Sequence, residues 1–157
     1  MAPSSLNVRS AQPEVTITST TTVSQVADRA EASRQFAIDT ARLAANTRCH
    51  NVVVLDVRGL SPVTDYYVVA TGTSARQMRT VMDDLEELGT ARGYAPISRS
   101  GYEGETWLLC DMVDVVVHVF NQDARMFYDL DNLWGDAQPV AWKPEGADQA
   151  AVVPQQD

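Results

Sequence analysis

GETWLLCDMVDVVVHVF, residues 104–120, is the stretch whose reading decides the fold. As a helix it would set Asp111, Asp114 and His118 on one face at spacing i, i+3, i+7, in the pattern of a metal or acid–base site. As two strands it scatters them. Val113, Val115, Val116, Val117 and Val119 favour strands, because β-branched side chains are stiff at χ1 and crowd a helix. Each apolar half runs for about six residues, a strand's length rather than a helix's. Trp107, Leu109 and Asp111 then share one face, and Leu108, Cys110 and Met112 the other. In the second strand Asp114, Val116, His118 and Phe120 alternate with Val115, Val117 and Val119. Both faces are apolar, so this strand is expected inside a sheet covered on both sides. The tight Met112–Val113 connection makes the pair a hairpin.

Working outward, helical and extended patterns alternate. Residues 25–48 place Val26, Ala30, Ala37, Ala41 and Ala44 at near-helical spacing. VVVLDV (52–57) and YYVVA (66–70) read as strands. Gly72 ends the second, and Ser74 with Gln77 fits a capping box. Met78, Val81, Met82, Leu85 and Leu88 then recur as a helical stripe that Gly89 or Gly93 stops. Residues 96–100 form a short strand. Asn121 caps a last helix whose Phe127, Leu130 and Leu133 make one stripe, with Gly135 as terminator. Residues 1–24, rich in Ser and Thr, are expected to be a disordered tail, as are 143–157; residues 25–142 form the domain.

A chain of 157 residues with 45% hydrophobic and 21% charged content suits one soluble domain. Its net charge of −9 argues against a general nucleic-acid binder, which needs clustered Lys and Arg. An acidic protein can instead dock on a basic protein of a nucleoprotein particle. Cys49 and Cys110 are isolated, as reduced thiols of a cytoplasmic protein would be. No signal peptide and no membrane-spanning run is present, so no membrane partner is expected.

Little in the chain points to chemistry. Asp111, Asp114 and His118 from a single hairpin are too few for a metal set, and His118 reads better as a hydrogen-bonded structural residue. Thr71-Gly72-Thr73-Ser74 lies where anions can bind, but with too few glycines for a nucleotide loop, so it reads as a helix cap. Neither cysteine has a His partner on its own element, and no G-x-S-x-G occurs. No catalytic residue, metal or cofactor is expected. Of the aromatic residues, Tyr67, Phe127 and Trp134 are assigned to the core. Trp107, which shares a face with Asp111, is a candidate for docking a protein partner.

Together, LDVRGLS, TDYYVVATGTS, the Trp107–Asp111 run, DVVVHVF and FYDLDNLWGDA resemble the ribosomal silencing factor (RsfS, or Iojap) family in order and spacing from about residue 27 to 137. The resemblance implies an α/β fold class, a mixed β-sheet flanked by helices, similar to the nucleotidyltransferase fold but without the catalytic carboxylates, and a role that is not enzymatic. It implies binding to the large ribosomal subunit through its fourteenth protein, steric obstruction of the small subunit and repression of translation. Direct nucleic-acid contact would be small, and a homodimer using the same face is a further expectation. By position, Trp107 and Asp111 match the implied ribosomal-protein contact; Met112, Asp114, Asp65 and Tyr66 are added to it. Where this chain has Val113 the family usually has Gly, so a different hairpin turn is expected here. The competing reading is a nucleotidyltransferase-like nucleotide-binding enzyme, which needs Asp111 and Asp114 close to the Gly72–Ser74 loop.

Overall fold

The computed structural model describes residues 2–145, with side chains from residue 22 onward. It divides into an N-terminal unit, residues 1–32, and an α/β unit from Ser33 onward. The first unit is the start of helix α1 (Ala2–Asn46), so the helix already runs through residues 2–24. Val23 and Val26 are exposed there. The expected C-terminal tail lies outside the described residues from 146 onward.

In the α/β unit, α1 is followed by β1 (His50–Asp56), β2 (Tyr66–Thr71), α2 (Ala75–Ala91), β3 (Ser98–Ser100), β4 (Trp107–Asp111) and β5 (Val115–Phe120). Two short helices, α3 (Gln122–Tyr128) and α4 (Leu130–Leu133), and a last short strand, β6 (Gln138–Pro139), complete it. The strands form one sheet in the order β3-β4-β5-β2-β1-β6. Only β2 and β5 pair in parallel, through the crossover that contains α2, and the other pairs are antiparallel. The mixed sheet implied by the family resemblance is therefore the one observed, and the valine-rich strand lies inside it as expected, with every residue of β5 buried.

Strand alternation divides the side chains between two layers. On the first, Val54, Val68, Leu108, Cys110, Val117 and Val119 pack against α1 and α2. Helix α1 supplies Phe36, Ala37, Ala41 and Ala44, whose small side chains let it lie close on the sheet. Helix α2 supplies Met78, Val81, Met82 and Leu85, all fully buried. Each such side chain contributes roughly 1.5–3 kcal/mol by burial. Ser74 caps α2 as expected, its Oγ accepting the Gln77 N–H at 3.1 Å. The Gln77 side chain does not return to the cap residue itself; its Oε1 accepts from Thr73 N–H at 2.9 Å. The helix passes through Gly89 and ends before Gly93, whose φ of +83° no longer continues a right-handed helix.

Two sequence expectations fail here for local reasons. The last helix is broken, because Asp129 adopts the left-handed conformation (φ 48°, ψ 49°) and separates α3 from α4. The supposed stripe is divided: Leu130 is buried, whereas Phe127 is 81% exposed and Leu133 72%. The hairpin turn, by contrast, does not abandon positive φ. Val113 takes φ 73° while Asp114 N–H donates to the Met112 carbonyl at 3.0 Å, an i→i+2 closure of the strained γ-turn kind. The Asp111 carboxylate braces it by accepting the Val113 N–H at 2.9 Å.

A β-branched residue at positive φ stores strain of order 1–3 kcal/mol. Val113→Gly is therefore expected to stabilise the domain by about 1 kcal/mol, after the glycine's entropy cost in the unfolded chain. Urea denaturation would show it as a higher midpoint at unchanged slope. A lower midpoint would mean the turn is not strained.

Candidate functional site: a half-covered sheet face

The second layer of the sheet is only partly roofed. The registers align Leu109, His118, Val69 and Val53 in one row, Trp107, Phe120 and Thr71 in the next, and Asp111, Val116, Tyr67 and Leu55 on the other side. Ala124 and Leu130 of the short helices, with Trp134, cover Val69 and Phe120. Arg125 anchors this cover to the sheet. It is 9% exposed, donates from Nε and Nη2 to both Asp131 carboxylate oxygens at 3.0 and 2.8 Å, and from Nη1 to Thr71 Oγ1 at 2.9 Å. Over β4 the cover stops, and Trp107, Leu109 and Asp111 are only half-buried.

Trp107 is held in place rather than loose. Its Nε1–H donates to His118 Nδ1 at 3.0 Å, and its ring lies 4.9 Å from Phe120 and 4.7 Å from Tyr128. Tyr128 meets the exposed Phe127 edge-on at 5.0 Å, so an aromatic ridge runs from the sheet onto α3. Phe127, expected in the core, stands at the surface end of this ridge; the sequence could not show that Asp129 would turn the chain.

His118 lies beneath the ridge, 5% exposed. Burial disfavours its charged form and pushes its pKa down from 6.5 to about 4. The unfolded chain then binds the extra proton between those values, so stability is complete above pH 6.5 and falls as pH drops toward 4. The loss over that window is roughly 3 kcal/mol. Comparing unfolding free energies of wild type and His118→Asn at neutral and acidic pH isolates it, because the remaining carboxylates titrate in both. Equal slopes in the two proteins would contradict the burial argument.

The other expected contact residues separate into two groups. Asp65, Asp111 and Asp114 gather at the hairpin end of the face, where Asp65 N–H donates to the Asp114 carbonyl at 3.2 Å. Burial and the neighbouring Asp114 raise the Asp65 pKa above the usual carboxylate range. Asp114 Oδ2 accepts from Ser33 Oγ at 2.8 Å, tying the turn to α1. Met112 and Tyr66 do not belong to the surface: they are 1% and 0% exposed and lie in the helix-covered core. Alternation explains the correction, since Met112 falls on the side of Leu108 and Cys110, and Tyr66 on that of Val68.

Asp111, Asp114 and His118 also fail to converge. Among the described residues no group of three His, Cys, Asp or Glu side chains is placed to hold a metal ion. Asp111 and Asp114 adjoin the start of β5, whereas Gly72 pairs with its end through Phe120 O. The length of β5 puts roughly 16 Å between the carboxylates and the Gly72–Ser74 loop. The arrangement required by the nucleotide-enzyme reading is therefore not formed. Cys49 and Cys110 are both free and buried, and burial raises both thiol pKa values, the latter to about 12, so neither is an activated nucleophile.

The family described as "Ribosomal silencing factor during starvation" matches residues 30–157. The chain belongs to the ribosomal silencing factor family. It is 37% identical over 93 residues to the ribosomal silencing factor RsfS of Halalkalibacterium halodurans, covering 59% of this chain and 80% of that one. It is 36% identical over 94 residues to the RsfS of Bacillus subtilis, covering 60% and 79%. The chloroplastic Iojap protein of Arabidopsis thaliana is 29% identical over 116 residues, 74% of this chain and 48% of that one. Among solved structures, one from Bacillus halodurans superposes with a TM-score of 0.57 at 31% identity, over 68% of this chain and 94% of its own. One from Chromobacterium violaceum superposes with a TM-score of 0.60 at 27% identity, over 74% and 94%. As a silencing factor the chain is a regulator of translation, and no helix among its described residues is long and apolar enough to cross a membrane.

Proposed function

We propose that this silencing factor binds the large ribosomal subunit through the subunit's fourteenth protein, blocks joining of the small subunit by its bulk, and so represses translation without catalysing a reaction. The half-covered face around Trp107 is the observation that carries the reading. An aromatic ridge with Leu109 beside it supplies an apolar centre, and Asp65 and Asp111 supply an acidic rim at one end, next to the turn that Asp114 ties to α1. Interfaces are built this way, with aromatic anchors at the centre and polar residues around them. The net charge of −9 favours encounter with a basic ribosomal protein over direct contact with RNA. The reduced, buried cysteines agree with action in the cytoplasm.

Steric obstruction makes potency a matter of affinity and occupancy. Self-association through the same face would compete with docking. Sucrose-gradient sedimentation of the full chain with purified subunits tests the proposal: it should co-migrate with the large subunit and not the small one. Failure to co-migrate at micromolar protein, with subunit joining undiminished, would overturn it.

A further inference from the structure

We infer that His118 is a positioning residue for docking: it takes the only polar hydrogen of the Trp107 side chain inside the protein and leaves the indole to meet its partner as a hydrocarbon surface. The inference rests on the docking role proposed for this face and adds the chemistry of the contact. The indole side chain has one hydrogen-bond donor and no acceptor, so the 3.0 Å contact between Trp107 Nε1 and His118 Nδ1 has a single polarity. Nδ1 must be the unprotonated nitrogen, and the neutral imidazole carries its proton on Nε2. The low pKa of His118 keeps that acceptor available at neutral pH.

Among the described residues Nε2 is buried without a hydrogen-bond partner. An unmade bond of this kind destabilises a fold, and β5 offers Val117 and Val119 as examples of side chains that would avoid it. The histidine is thus poorly explained as filler, while its other nitrogen does one definite thing. It holds the indole edge inward although Trp107 itself is only half-buried. Tyr128 at 4.7 Å and Phe120 at 4.9 Å fix the ring plane from the sides. What remains for a partner is carbon surface, next to Leu109. The group that lands on Trp107 is therefore an apolar side chain, and not a carbonyl or carboxylate seeking the indole N–H.

The test uses the full chain and purified large ribosomal subunits. In the free protein, amide-type hydrogen exchange of the indole N–H is followed by ¹⁵N NMR, with the Trp107 signal assigned from a Trp107 variant. Wild type should show slow exchange at that position. His118→Asn places an oxygen where Nδ1 was, and should keep slow exchange and subunit affinity within about threefold. His118→Leu should lose the protection and bind about tenfold more weakly while unfolding cooperatively. If the leucine variant does not fold, His118→Gln takes its place, since its oxygen cannot occupy the Nδ1 position.

Fast exchange of the wild-type indole, or full affinity in a variant that has lost the protection, overturns the inference alone. So does an asparagine variant that binds as weakly as the leucine one. Absence of wild-type binding to the large subunit overturns the docking proposal and this inference with it.

Discussion

Replacing Trp107 by alanine is expected to weaken binding to the large subunit by about a hundredfold, or roughly 3 kcal/mol. The residue stands at the centre of the open face, and its ring is pre-positioned by His118, Phe120 and Tyr128. A rigid aromatic anchor loses little entropy on binding, which is why such residues dominate interfaces. The substitution also removes packing and leaves His118 Nδ1 without its donor, so a stability loss of about 2 kcal/mol should accompany it. That loss is small enough for the domain to remain folded, as a cooperative thermal transition would verify. Unfolding of the variant would instead make Trp107 a core residue, and unchanged affinity would move the docking site elsewhere.

The second large effect is on the fold. Gly101, in the loop between β3 and β4, has φ +82°, and a Cβ there would lie 1.9 Å from the Trp107 carbonyl oxygen and 3.0 Å from its carbon. The obstruction is backbone, not the end of a flexible side chain, so it cannot be relieved by a rotamer change. Gly101→Ala should cost about 3–5 kcal/mol, adding left-handed strain to displacement of β4. Thermal unfolding would register this as a fall of roughly 10 °C or more. Because β4 carries Trp107, any folded fraction should dock poorly too. A variant with wild-type stability would show that the loop can move away from the strand.

These two residues also mark how much the sequence disclosed. The valines around His118 identify β5 without help, and Ser74 and Asn121 are caps in the structure because their side chains accept the expected backbone N–H groups. Period-two alternation places Trp107, Leu109 and Asp111 on one face correctly. The same alternation puts Met112 on the opposite side, in the helix-covered core and away from the contact face. Tyr66 and Tyr67 could not be distinguished in this way, since the depth of each depends on which helices roof which face.

Cross-strand facts were out of reach. The His118–Trp107 hydrogen bond depends on β4–β5 register, and the Gly101 contact on the path of a loop. Phe127 is at the surface and not in the core because the helix breaks at left-handed Asp129, and a non-glycine residue gives little warning of such a break. Val113 taught the converse: the structure keeps the positive φ that glycine would adopt freely and accepts the strain.

The most direct measurement is the light scattering of ribosomal subunits as they reassociate after a rise in Mg²⁺, with wild-type protein or Trp107→Ala added at increasing concentration. Wild type should suppress the scattering increase in proportion to its occupancy of the large subunit, and the variant should need about a hundredfold more protein for the same effect. Full reassociation in the presence of saturating, bound wild type would contradict steric obstruction, and equal suppression by both proteins would contradict docking through the Trp107 face.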